Sequence, residues 1–126
     1  MPRIATLKKK LDHILEKFKK GERRGLVLAM LAAIRLSDKG KAISVDNIVE
    51  EAKMIIDEFP NIDWGVSKEE FTPGLASSLL KELVEMGVLE PTDTSRFIFK
   101  TYESGSPRDE ILARFGYLIF YGGLAR

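Results

Sequence analysis

Apolar positions recur along most of this chain with helical spacing, and the breaks fall at glycine and proline. Between Arg3 and Lys20, Ile4, Leu7, Leu11, Ile14 and Phe18 lie alternately three and four residues apart, with Leu15 beside them. That spacing is a two-heptad seam on one helix, which Gly21 ends. Two packings satisfy it. The seam can lie on the body of the same chain, or it can pair with a second copy. The next run, Glu22 to Leu36, is apolar nearly all round. Such a helix is buried on several sides and predicts the centre of the fold. Arg23 and Arg24 stand at its start, where the helix dipole disfavours cations, which points to partners elsewhere.

Ser37 to Lys41 reads as a turn and Ala42-Ile43-Ser44 as a short strand. Ser44 then caps a helix from Val45 to Phe59, with Asp46 in its first turn and Pro60 at its end. A loop of about a dozen residues follows and holds the only tryptophan, Trp64. Thr72-Pro73 is a cap with proline at the first helical position, so a helix is predicted over Pro73–Met86, stopped by Gly87. Winding it at 100° per residue puts Leu75, Ala76, Leu79, Leu80 and Leu83 inside. Gly74, Ser77, Ser78, Lys81, Glu82 and Glu85 fall outside. Val88 to Glu90 and Arg96 to Tyr102 read as two strands around a turn at Pro91–Ser95. A last helix starts near Ser106-Pro107 with Ile111, Leu112, Phe115, Leu118 and Ile119 on one stripe. Tyr117, Phe120 and Tyr121 fall off that stripe and predict a second surface to cover.

Composition narrows the chemistry. The 126 residues contain no cysteine and one histidine, His13. Disulfides, thiolate metal sites and thiol catalysis are excluded, and most histidine-based catalysis with them. His13 sits among polar neighbours and reads as an inert surface residue. The acidic pairs Glu50-Glu51, Asp57-Glu58 and Glu69-Glu70 read as solvated faces. Gly40-Lys41 lacks the upstream glycine of a phosphate loop. No catalytic, metal or cofactor site is expected. The chain has no glutamine and only two asparagines, beside many Lys, Glu and Arg. That composition predicts a heat-adapted source. The lysine-rich start is no secretory leader, and no apolar stretch approaches the ~20 residues that span a bilayer, so a cytoplasmic protein is expected.

The net charge of +1 conceals an uneven distribution. Met1 to Arg24 holds nine basic and three acidic residues, a net +6. Ala42 to Glu110 holds six basic and fifteen acidic, a net −9. A basic arm precedes an acidic body.

Helix, short strand, helix, long turn, helix and hairpin, in that order, resemble a winged helix-turn-helix domain over about Glu22 to Tyr102. The stretch Leu79-Leu80-Lys81-Glu82-Leu83-Val84-Glu85-Met86-Gly87-Val88-Leu89-Glu90 looks like the recognition helix running into the wing in MarR-type regulators. It is also similar to the C-terminal winged domain of archaeal origin-recognition initiators, whose middle helices are likewise joined by a long turn. The fold class expected is therefore mainly α. It has a three-helix core with a small β-hairpin wing over residues 22–105, a basic amphipathic helix over 1–21 and an aromatic C-terminal helix over 106–126, all in one compact domain.

The resemblance implies that Pro73–Met86 reads DNA. Ser77, Ser78 and Lys81 would face the major groove, with Thr72 and Gly74 near a phosphate. Arg96 and Lys100 would flank the wing, and Lys8, Lys9, Lys10, Arg23 and Arg24 would add charge to the interface. The sequence departs from such readers at several points. Glu82 and Glu85 oppose one lysine on the reading face, Asp93 occupies the wing tip, and no Arg or Asn is placed for bidentate base contact. The expected function is a DNA-binding regulator, or a chromatin or replication factor, acting on double-stranded DNA as a homodimer. Ile4, Leu7, Leu11, Ile14, Phe18, Phe115, Tyr117, Phe120 and Tyr121 would form the dimer surface. The alternative is an acidic winged-helix module that docks a protein partner without touching DNA.

Overall fold

A computed structural model describes residues 4–103 and 105–120. Five helices and one hairpin follow in the order α1 (Ile4–Lys19), α2 (Arg24–Asp38), α3 (Val45–Glu58), α4 (Pro73–Met86), β1 (Leu89–Pro91), β2 (Phe97–Phe99) and α5 (Pro107–Phe120). The protein is mainly helical with a small antiparallel sheet. Among the described residues no helix is long and apolar enough to cross a membrane.

Helix α2 is the centre. Leu26 through Ile34 are all buried, as is Leu36, and α2 packs against α1, α3, α4 and α5. It outlasts the turn expected at Ser37. Ser37 and Asp38 stay helical, and Lys39 closes the helix by donating its backbone N–H to Arg35 O at 3.0 Å. Helices α3 and α4 start at side-chain caps. Ser44 Oγ accepts from Asn47 N at 3.3 Å, and Thr72 Oγ1 accepts from Leu75 N at 3.2 Å. Each cap satisfies an amide that the first helical turn leaves free.

The joint between α4 and β1 is tight. Gly87 lies in the left-handed region at φ 91°, and a Cβ there would stand 2.6 Å from the Tyr102 hydroxyl. That hydroxyl donates to Gly87 O at 3.0 Å. Both the conformation and the close approach call for glycine.

In the hairpin, Leu89 pairs with Phe99, Glu90 with Ile98 and Pro91 with Phe97. Ile43 forms a single antiparallel bridge to Phe97 on the opposite edge of β2, so β2 lies between β1 and the segment before α3. The strand expected at Ala42–Ser44 is thus one bridged residue.

One core cluster draws on all five helices and the hairpin. The seam of α1 is closed within the chain. Ile4, Leu7, Leu11, Ile14 and Phe18 are buried, mainly where α1 meets α5. Phe18 meets Phe115 edge-on at a centroid distance of 5.9 Å and Trp64 at 6.1 Å. Polar contacts border the same seam. Arg114 of α5 bonds Asp12 at 2.6 Å and Glu110 at 2.8 Å, and Lys8 lies 3.9 Å from Glu110. Burial lowers the affinity of the Arg114 guanidinium for its proton, but the two carboxylates outweigh it and the pKa rises.

The long turn between α3 and α4 is anchored rather than loose. Ile62, Trp64 and Phe71 are buried in it, and Lys68 pairs with Asp57 of α3 at 2.9 Å. The hydrogen bond and the charge of Asp57 hold the Lys68 amine above its ordinary pKa.

Candidate nucleic-acid interface

The front of α4 is bare. Thr72, Pro73, Gly74, Ser77, Ser78 and Lys81 are all exposed, while Ala76, Leu79, Leu80 and Leu83 bury the opposite stripe. Apart from the Thr72 cap, none of these exposed side chains bonds another side chain among the described residues. Small residues over the first two turns keep the helix axis close to whatever approaches it. The free amides at its N-terminus favour an anion there.

The two arginines at the start of α2 take different roles. Arg24 is committed to the fold. Its Nε donates to Phe18 O at 3.0 Å and its Nη1 to Asp63 O at 2.8 Å, and its guanidinium lies 4.8 Å from the centre of the Phe18 ring. It ties α1 to the long turn and is withdrawn from the expected DNA set. Arg23 precedes α2 in the left-handed region, φ 57°, and pairs with Glu82 on α4. A non-glycine residue held there costs about 1 kcal/mol or more. The conformation sets a cation against the flank of α4 and neutralises one of the two glutamates there.

The basic arm reaches the same flank. Lys10, His13 and Lys17 of α1 line a shallow pocket of about 230 Å³ together with Arg23, Glu82 and Met86. Lys8, Lys9 and Lys10 are all exposed, and Lys8 leans to Glu110. The structure thus brings Lys10 and Arg23 to α4 and leaves Lys8 on the α5 side. Lys17, which the sequence did not single out, joins them. It pairs with Glu22 at 3.4 Å, and its other neighbours in the pocket include Arg23, just before α2, and Glu82 on α4.

Arg96 and Lys100 lie on the hairpin, in a broader groove of about 610 Å³. Its lining also includes Lys41 and Arg108, two cations that sequence reasoning passed over.

The dimer set needs correction. Ile4, Leu7, Leu11, Ile14, Phe18 and Phe115 are inside the chain's own core, because α5 already covers the α1 seam. Tyr117 remains exposed. The side chain of Phe120, and Tyr121 as a whole, lie outside the described residues. The acidic faces are also altered. Glu51 is buried, not solvated, and is held by Arg35 at 3.0 Å and Lys39 at 2.9 Å. Glu58 caps the far side of Arg35 at 3.1 Å. Among the described residues no group of three or more acidic or histidine side chains is placed to hold a metal ion.

Comparison with protein-family models, with curated proteins and with solved structures finds no match for the chain.

Proposed function

We propose that the protein is a winged helix-turn-helix protein that binds double-stranded DNA through α4, as a regulator or a chromatin or replication factor. The observation that carries this reading is the bare, small-residue front of α4 with Lys10, Lys17 and Arg23 gathered along its flank. An approaching duplex would meet a helix N-terminus, two serine hydroxyls and Lys81, with further cations beside them. Phosphate neutralisation supplies most non-specific affinity, and here Lys10 and Lys81 have no ion-pair partner among the described residues, while Lys17 and Arg23 offset Glu22 and Glu82.

Three features of the fold support the winged assignment. The helices α2, α3 and α4 surround one core, α4 runs through Gly87 directly into the hairpin, and Ile43 adds a third strand position beside β2. The acidic docking module is less well supported, because five carboxylates of the acidic body are already paired inside the chain. These are Glu51, Asp57, Glu58, Glu82 and Glu110. The reading requires no second copy at α1.

The test is fluorescence anisotropy of a labelled random-sequence duplex at low salt, repeated with added salt. Micromolar binding that weakens steeply with salt is expected. A flat trace at micromolar protein and low salt overturns the reading.

A further inference from the structure

The outward face of the hairpin, which carries Arg96 and Lys100, is a second surface and shares no lining residue with the pocket on the flank of α4. Side chains of a strand alternate between faces, and here Phe97 and Phe99 pack against the core while Ile98 stands 50% exposed between Arg96 and Lys100. The groove of about 610 Å³ runs from this face to the end of α2 and the start of α5. Its charged lining residues are Lys41, Arg96, Lys100 and Arg108, and no carboxylate lines it. Arg108 is paired with Asp38, but Lys41, Arg96 and Lys100 have no ion-pair partner among the described residues.

The backbone adds an independent observation. Thr92 donates to Arg96 and Lys100 donates to Val88, so the hydrogen-bonded pairs of the hairpin fall on the even-numbered residues of β2. Phe97 and Phe99 therefore turn their amides and carbonyls toward the other edge. Phe97 N–H finds Ile43 O there at 2.8 Å. The bridge ends with that residue, and Phe99 makes no backbone hydrogen bond outside the hairpin ladder among the described residues. The edge of β2 at Phe99 thus opens into a groove lined by cations, by the half-buried Phe97 and Phe99 and by the exposed Ile98.

We propose that this groove binds an acidic, apolar-containing segment of a partner protein in extended form, laid against the Phe99 edge of β2. Backbone pairing would hold the segment, as in strand addition to other open sheet edges. Its carboxylates would sit against Lys41 and Lys100, and an apolar side chain on Ile98. A single-stranded nucleic acid fits less well. It needs exposed aromatic faces on which bases stack, and Phe97 and Phe99, although they line the groove, are half-buried against the core. The chain's own residues 121–126 contain no Asp or Glu and lack the complementary charge.

The experiment titrates the full chain into a fluorescein-labelled decapeptide of alternating Glu and Val, with amide chemical shifts followed by NMR. Saturable binding in the micromolar range is expected, with the largest shifts at Lys41, Ile98 and Phe99. Lys41→Glu and Ile98→Ser should each weaken it about tenfold, with thermal unfolding unchanged, and a Lys–Val decapeptide should not bind. The proposal is overturned by no binding of the acidic peptide, by affinity that both variants leave intact, by shifts confined to α4, or by full displacement with an oligothymidine.

Discussion

Arg23 pairs with Glu82 across the gap between the start of α2 and the outer flank of α4. Both side chains are more than a third exposed, so the pair contributes little to folding, within about 1 kcal/mol. Its weight falls on the surface potential. Glu82→Ala should leave the unfolding midpoint nearly unchanged and strengthen duplex binding, since it removes a negative charge and frees Arg23. Thermal denaturation alongside anisotropy measures both. Weaker binding by Glu82→Ala would take Arg23 out of the interface.

Lys81 and Lys10 should contribute additively to DNA affinity. Each sits exposed at α4 or beside it. Replacing either with Ala should lower the slope of log affinity against log salt by about 1. Lys8→Ala, on the α5 side, should leave the slope alone. Equal slopes for all three variants would mean that α4 is not the contact.

The closed seam gives α1 a folding role. Leu11 is fully buried, so Leu11→Ala should cost about 2–5 kcal/mol. The urea midpoint should also be independent of protein concentration. A midpoint that climbs with concentration would restore the inter-chain seam.

Glu51 is a buried carboxylate between two cations of α2 and its cap. Removing Arg35 alone leaves that charge with Lys39 only and should cost about 3 kcal/mol. The double variant Arg35→Met/Glu51→Leu should recover much of the loss, because it removes the buried charge with its partner. A double variant as unstable as the sum of its parts would show that the two residues act separately.

Gly87→Ala should destabilise the protein by about 2 kcal/mol, from the left-handed backbone and the clash with the Tyr102 hydroxyl. Tyr102→Phe removes that oxygen and should lessen the penalty of the alanine. Urea unfolding of the two single variants and the double measures the coupling, and strict additivity would assign the whole cost to φ.

Helical periodicity made the elements legible. The bounds of α4 follow from Thr72-Pro73 at one end and Gly87 at the other, since caps are local chemistry. The fate of the α1 stripe did not follow. Ile4, Leu7, Leu11, Ile14 and Phe18 are equally suited to a partner chain or to α5, and only tertiary packing chooses. Glu51 was hidden for a similar reason. It stands next to Glu50 in an acidic run, and the cations that bury it come from another helix. Arg24 could be read as a misplaced cation but not as one that holds Phe18 and Asp63. The candidate site is the least legible part, because Lys10 and Lys17 lie on α1, Arg23 just before α2 and Lys81 on α4. Charge totals by segment suggested a basic arm apart from an acidic body, whereas the fold packs the arm on α5 and brings its Lys10 and Lys17 into one pocket with Arg23 and Glu82.

Trp64 is buried against Phe18, and its indole N–H has no hydrogen-bond partner among the described residues. As the sole tryptophan it makes the protein its own optical probe. In this apolar, unbonded setting its emission is expected at short wavelength, and water reaching the ring would shift it to the red. The ring touches the last turn of α1, so the colour of the native protein reports whether that helix is docked, without any label.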